Sequence, residues 1–472
     1  MMLLRGDFHT FHADGAEHMY LVPSAAIFRL DAASQAVLEA VGLEAVEPQT
    51  IVEGLSSRFE AADVRSTIGE LLSTRALRSV DHPPEQLKAE PPRKRIPLTT
   101  LVLNVTSKCN LSCKYCYEYG EDKIVEASTK PRFMDEATAR QSVDFMFAES
   151  GDQPRVHLTF FGGETLLNFK VLRSTMTYAK QKAAELGKEV DASLTTNATL
   201  LRDEVIDWMV EHNIGVTVSM DGAREQQDSL RVFANGMGSY DVVAPRVKEL
   251  LRRHRRRPIG ARVTLTKDNL EVREIYRHLK EELGFYEVGF APVTTSWQRD
   301  YAIADAGFDY MVEQFQSLAQ DFLETSLQGR HHGFSNVRDT LEEIHKGMAK
   351  AYPCGAGLGL MGVATDGDVA LCHRFAGSEE HKLGTVFDGV NRDKQFDYLK
   401  RHHIANKTDC SVCWARSLCA GGCYHEAHTR YGSTEHANLH YCEWVRRWSH
   451  TCLEIYATLG AKRPEFLRQF DA

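Results

Sequence analysis

The stretch Leu101-Val102-Leu103-Asn104-Val105-Thr106-Ser107-Lys108-Cys109-Asn110-Leu111-Ser112-Cys113-Lys114-Tyr115-Cys116 runs from an apolar, β-branched strand into three cysteines spaced Cys-x3-Cys-x2-Cys. Three thiolates can hold three irons of a [4Fe–4S] cube, whereas an ordinary cluster takes four cysteines. The missing ligand leaves one iron open to a substrate or cofactor. Structural zinc takes four ligands and favours CxxC pairs, so neither zinc nor free thiols suit this spacing.

Outward from that loop the pattern alternates strand and helix. Strands are expected at 101–105, 156–161, 192–196, 215–219, 261–266 and 287–291, with helices between them, for example over 135–149, 172–186 and 241–254. Six such units predict parallel strands joined by right-handed crossovers, an α/β full or partial barrel. Chemistry in that architecture collects at the C-terminal strand ends. Phe161-Gly162-Gly163-Glu164 ends the second strand, Thr195-Thr196-Asn197 the third, and Ser219 with Asp221 the fourth. A Gly-Gly-Glu alone is an ordinary turn; its place at a strand end beside the cysteine loop gives it interest.

The flanks divide the chain further. Residues 1–80 read as a small module: strand-like Phe8 to Phe11 and His18 to Val22 around the turn Asp14-Gly15, then a helix capped by Asp31 with Ala33, Val37, Leu38 and Val41 on its apolar face. A second helical stretch covers 60–72. Residues 81–98, with Pro83-Pro84 and Pro91-Pro92 among charges, read as a linker. The barrel then spans 99–300, a helical connection 301–350 and a cysteine-rich domain 351–472.

The net charge of −9 argues against a nucleic-acid partner. The one basic run, Arg252-Arg253-His254-Arg255-Arg256-Arg257, suits a helix C-terminus or a patch for an acidic partner. No apolar stretch predicts a membrane span and no signal segment is legible, so the expected compartment is the cytoplasm, where disulfides are rare. Eleven cysteines there read as metal or cluster ligands, and all but Cys452 fall into spaced groups. The second set runs Cys354-x12-Gly367-x4-Cys372, Cys410-x2-Cys413-x5-Cys419-x3-Cys423 and Cys442. A zinc-ribbon pair fits Cys410 and Cys413 but not the whole; Cys452, at helical spacing, reads as a packed thiol.

Together these motifs resemble the radical S-adenosylmethionine (SAM) superfamily with its C-terminal SPASM extension. The resemblance implies SAM bound through its amino and carboxylate groups to the open iron of the Cys109/Cys113/Cys116 cluster, with Tyr115 near the adenine. It implies that Gly162, Gly163 and Glu164 hold the SAM ammonium, and that Asn197, Ser219 and Asp221 face the ribose or substrate. Arg231 and Arg262 become candidates for the SAM carboxylate, which guanidinium pairs bidentately. Two further [4Fe–4S] clusters are implied, three in all: auxiliary II on Cys410, Cys413, Cys419 and Cys442, and auxiliary I on Cys354, Cys372 and Cys423. Some relatives add a fourth auxiliary I cysteine shortly after the first; here that stretch is Gly355-Ala356-Gly357-Leu358-Gly359-Leu360. In sulfatase-maturing relatives an aspartate follows the second SPASM cysteine and acts as base, whereas here it is His373.

The N-terminal hairpin and helices resemble the PqqD-like winged-helix module, which recognises a peptide leader as an added edge strand. Over nearly the whole chain the resemblance is to the maturation enzymes of quinohemoprotein amine dehydrogenase. It is carried by Tyr20-Leu21-Val22-Pro23-Ser24-Ala25-Ala26-Ile27-Phe28, Cys116-Tyr117-Glu118-Tyr119-Gly120-Glu121-Asp122-Lys123-Ile124 and His331-His332-Gly333-Phe334. This implies thioether cross-links from cysteine sulfur to Asp or Glu methylenes in the dehydrogenase's small gamma subunit, with flavodoxin or ferredoxin as electron donor. Maturation of another thioether peptide and anaerobic sulfatase maturation stay open. A non-catalytic electron carrier would explain the cysteines but not Gly162-Gly163-Glu164.

Overall fold

The computed structural model describes residues 2–42, 44–81, 89–91, 95–118, 120, 122–124 and 132–471. Most of the expected linker, and Tyr119 and Glu121 of the family-like stretch after Cys116, lie outside the described residues. Six parallel strands, Thr100–Thr106, Arg155–Gly162, Glu189–Thr196, Gly215–Ser219, Ile259–Leu265 and Glu287–Pro292, lie side by side in chain order. The crossover helices include Glu136–Glu149, Phe169–Glu185, Asp203–Glu211 and Tyr240–Arg253. Side chains alternate across a strand. One register row, Leu103, Phe160, Leu194, Val216 and Ile259, is apolar and buried. The alternate face carries Asn104, Thr195, Thr217, Ser219 and Arg262, polar groups left to line the mouth of the barrel, beside the ring of Phe161.

The sheet does not stop at six strands. Leu360–Val363 adds in parallel to Thr100–Thr106, and Asp368–Ala370, Lys382–Thr385 and Gly389–Val390 continue antiparallel, ten strands in all among the described residues. The cysteine-rich region is therefore tied to the barrel through the strand that precedes Cys109. Leu360–Val363 is too short to carry a periodic signal, so the sequence reading missed it. The expected helical connection is two helices, Asp305–Leu327 and Ser335–His345.

The N-terminal region has its own core, including Leu3, Met19, Val37, Ile51, Val64 and Ile68. Its antiparallel sheet, Phe8–Ala13, Ala16–Leu21 and Ala26–Arg29, turns at Asp14 and Gly15, both with positive φ as a two-residue hairpin requires. The Asp31 carboxylate caps Ala32–Ala40 by accepting from the Ser34 N–H at 2.7 Å. The strand Ala26–Arg29 and the helix Pro48–Leu55 lie beyond the sequence reading. This region packs on the C-terminal one: His9 stacks on Trp414 at 3.8 Å, and Tyr20 Oη and Ser417 Oγ are 2.7 Å apart. Of the basic run, Arg253 pairs with Asp203 and Asp207, and Arg257 with Asp191, so the helix-end reading fits these two. No described helix is long and apolar enough to cross a membrane.

Candidate functional site

The loop that carries Cys109, Cys113 and Cys116 hangs between two anchors. Ser112 N–H donates to the Val232 carbonyl at 2.7 Å, and Glu164 N–H to the Lys108 carbonyl at 2.8 Å. Burial pushes the Cys109 thiol up to about 11, partly offset by the Leu111 N–H, and also raises Cys113. Thiols so placed ionise only when a cation binds them, which suits iron. Gly162 has φ of 117°, and a Cβ there would lie 2.3 Å from the Thr106 carbonyl oxygen. Only glycine lets the second strand end this close to the cysteine loop.

Glu164 is fully buried. Its Oε1 accepts from Leu166 N–H (3.1 Å) and Thr196 Oγ1 (2.7 Å), and its Oε2 from Asn197 N–H (2.7 Å). Burial raises its pKa and these donors oppose that. A carboxylate has about four acceptor sites, so one remains for an ammonium group. Asn197 Nδ2 in turn reaches Cys109 Sγ at 3.7 Å.

Tyr115, Asp221 and Arg231 form one buried cluster. Tyr115 donates to Asp221 Oδ2, and Arg231 Nη1 donates to Tyr115 Oη at 2.6 Å and lies 3.9 Å from Asp221 Oδ2. Asp221 Oδ1 also accepts from Thr264 N–H at 3.0 Å, so this carboxylate is held by the protein rather than free as a base. Arg231 Nε is buried without a partner and the guanidinium acts electrostatically on Cys113, placing a spare donor beside the cysteine loop. Arg262 is not part of this cluster.

The C-terminal cysteines sort into two groups in space. Burial pushes Cys372 up to about 12 with Cys423 and Cys354 adding to it, and burial also raises Cys423 with Cys354 adding to it. Burial, and then neighbouring thiols, raise Cys410, Cys419 and Cys442, and Cys410, Cys413, Cys419 and Cys442 line a cavity of about 260 Å³ whose wall Cys423 also reaches. Between Cys419 and Cys423, Ala420, Gly421 and Gly422 all have positive φ, which turns the two thiols toward different groups. Lys407 is 4% exposed, its Nζ has no hydrogen-bond partner, and the thiols of both groups act on it. A lone buried cation is costly; two anionic iron–sulfur clusters on these donor sets would balance it, so the residues fit the group. His373 lies 4.5 Å from the Phe161 ring, and burial lowers its pKa to about 3. Cys452 is fully buried in the helix Cys442–Lys462, a packed thiol.

Sequence reasoning missed Lys407, Tyr117 and Arg374. Tyr117 is acted on by both Cys116 and Cys372, and the Arg374 guanidinium lies 4.8 Å over its ring. Adjacency to a cluster cysteine was the one available signal for Tyr117 and Arg374; Lys407 had none.

Residues 103–279 match the family model of the radical SAM superfamily, so the barrel and its three-cysteine loop are a radical SAM domain. The serine-type anaerobic sulfatase-maturating enzyme of Bacteroides thetaiotaomicron is 26% identical over 354 residues, 69% of this chain and 82% of that protein. The cysteine-type enzyme of Clostridium perfringens is 24% identical over 356 residues, 69% and 89% of the two chains. Among solved structures, anSMEcpe with bound AdoMet aligns with a TM-score of 0.66 at 20% identity, over 77% of this chain and 99% of that one. Streptococcus suis SuiB bound to its precursor peptide SuiA aligns at 0.51 and 13%, over 93% and 99%. At these identities the structural likeness is one of fold.

Proposed function

We propose that this chain is a radical SAM maturase that joins cysteine sulfur to Asp or Glu methylenes in a small protein, the gamma subunit of quinohemoprotein amine dehydrogenase, in the cytoplasm. The observation that carries the reading is the pairing of an open three-thiol loop with a separate N-terminal sheet packed on the C-terminal cysteine region. Among the described residues the outer edge of Ala26–Arg29 has no strand partner, which suits capture of an extended leader. Holding the leader raises the effective concentration of the modified segment at the barrel mouth.

Methylene hydrogens beside a carboxylate are too weakly acidic for a protein base. When bound, SAM and the cluster on Cys109, Cys113 and Cys116 supply a 5′-deoxyadenosyl radical able to take such a hydrogen. Glu164 and Arg231 would orient the SAM ammonium and carboxylate, and Ser219 its ribose. Each new S–C bond replaces one S–H and one C–H: a hydrogen atom goes to the deoxyadenosyl group, a proton to solvent and one electron to an acceptor. The two C-terminal thiol groups, holding auxiliary clusters I and II, are the acceptor candidates, and flavodoxin or ferredoxin the reductant for the first cluster.

The second reading, anaerobic sulfatase maturation, is favoured by the curated relatives. Against it stand His373, where those relatives are expected to carry an aspartate, and the N-terminal region. Co-expression with the gamma subunit and mass spectrometry separates the two. The expected result is a loss of about 2 Da per bond, with fragmentation suppressed between the joined residues. An unmodified subunit, together with oxidation of a sulfatase peptide at its Ser or Cys, would overturn the proposal.

A further inference from the structure

SAM offers one carboxylate, and Arg231, beside Cys113 and bonded to Tyr115, stands where it can meet it. Arg262 stands elsewhere. It lies in register between Ser219 and Gly289 on the inner face of the sheet, and water reaches it. A Cβ on Gly289 would lie 2.6 Å from Ser335 Oγ and 3.4 Å from Arg262 Nη1, so a side chain at that register position would crowd both. No hydrogen bond or ion pair to a described residue engages the Arg262 guanidinium, while its carbonyl accepts from Met220 N–H at 3.1 Å.

We propose that Arg262 receives the side-chain carboxylate of the substrate Asp or Glu; this deepens the substrate reading above and rests on it. Asp339 and Glu426 act on Arg262 through space, and Arg374 opposes them. The nearby carboxylates are engaged by other residues: Asp339 by Arg338, and Glu426 by Thr294 and Asn438. A planar carboxylate matches the donor geometry of this unpartnered guanidinium. Anchoring it there fixes the adjacent methylene relative to Ser219, and it selects acids over their amides because a neutral amide forms no charge-assisted pair with the guanidinium.

The test measures anaerobic binding, with SAM present, of the gamma subunit and of a version whose cross-linked Asp and Glu residues are Asn and Gln. Wild-type enzyme should bind the acidic form at least about tenfold more tightly, as expected for a charge-assisted pair. Arg262→Gln should lose that preference and Arg262→Lys should keep part of it. Equal wild-type affinity for both forms overturns the carboxylate site but leaves the substrate reading standing. No wild-type binding at all overturns both. If Arg262→Gln weakens SAM binding and keeps the acid preference, the guanidinium belongs to SAM and the proposal fails.

Discussion

Glu164→Gln isolates one atom of the barrel mouth. The carboxylate meets two donors with Oε1 and the Asn197 N–H with Oε2, all without solvent access. An amide keeps one oxygen for Leu166 and Thr196 and turns its NH2 toward the Asn197 N–H, donor against donor. Losing a hydrogen bond to a charged acceptor costs about 1.5–3 kcal/mol, and leaving a buried donor unmatched about 1–3 kcal/mol. These describe the same lost bond, so the net cost is about 2–3 kcal/mol. That is a factor of about 30 to 150 in the local opening equilibrium. Hydrogen exchange followed by mass spectrometry over residues 194–200, without SAM, reads it directly: the Asn197 amide should exchange at least about 30-fold faster in the variant. Unchanged protection in a folded Glu164→Gln enzyme would refute the assignment of that bond and, with it, the idea that Glu164 is preset for an ammonium ligand.

Changing Cys109, Cys113 and Cys116 together to Ala should abolish 5′-deoxyadenosine formation while about eight irons per chain persist on the other two thiol groups; SAM cleavage by this variant would remove the cysteine loop from the chemistry. His9, whose pKa burial and then His450 depress to about 4, titrates near 6.5 once detached. Between those values the detached region binds more protons, so its packing on Trp414 should weaken as pH falls from about 6.5 toward 4. His9→Phe should flatten this in limited proteolysis, and wild-type packing insensitive to pH across the window would contradict it. Lys407→Met removes the cation between the two C-terminal thiol groups and should shift the reduction potentials of their clusters to more negative values in an EPR-monitored titration; unchanged potentials would place Lys407 outside their field.

The sequence alone determined what is local. Cys109, Cys113 and Cys116 share one loop, Gly162-Gly163-Glu164 follows its strand directly, and repeated strand–helix units leave a parallel sheet with right-handed crossovers as the economical solution. The caps at Asp31 and Asp135 are equally local, each carboxylate meeting a backbone N–H three residues on. Tertiary structure decided the rest. Tyr115 meets Asp221 and Arg231 across 106 and 116 residues of chain, and Lys407 comes to rest between two thiol groups drawn from separate segments. The two candidate carboxylate-binding arginines are parted by the fold: Arg231, at the end of the helix Arg224–Leu230, meets Tyr115 of the first cysteine loop, while Arg262 sits in the sheet between Ser219 and Gly289. Such partnerships depend on which strand pairs with which and how far each is offset. Composition and periodicity carry no trace of that, because a side chain's period is set by its own backbone and its partner is set by the packing of the whole sheet.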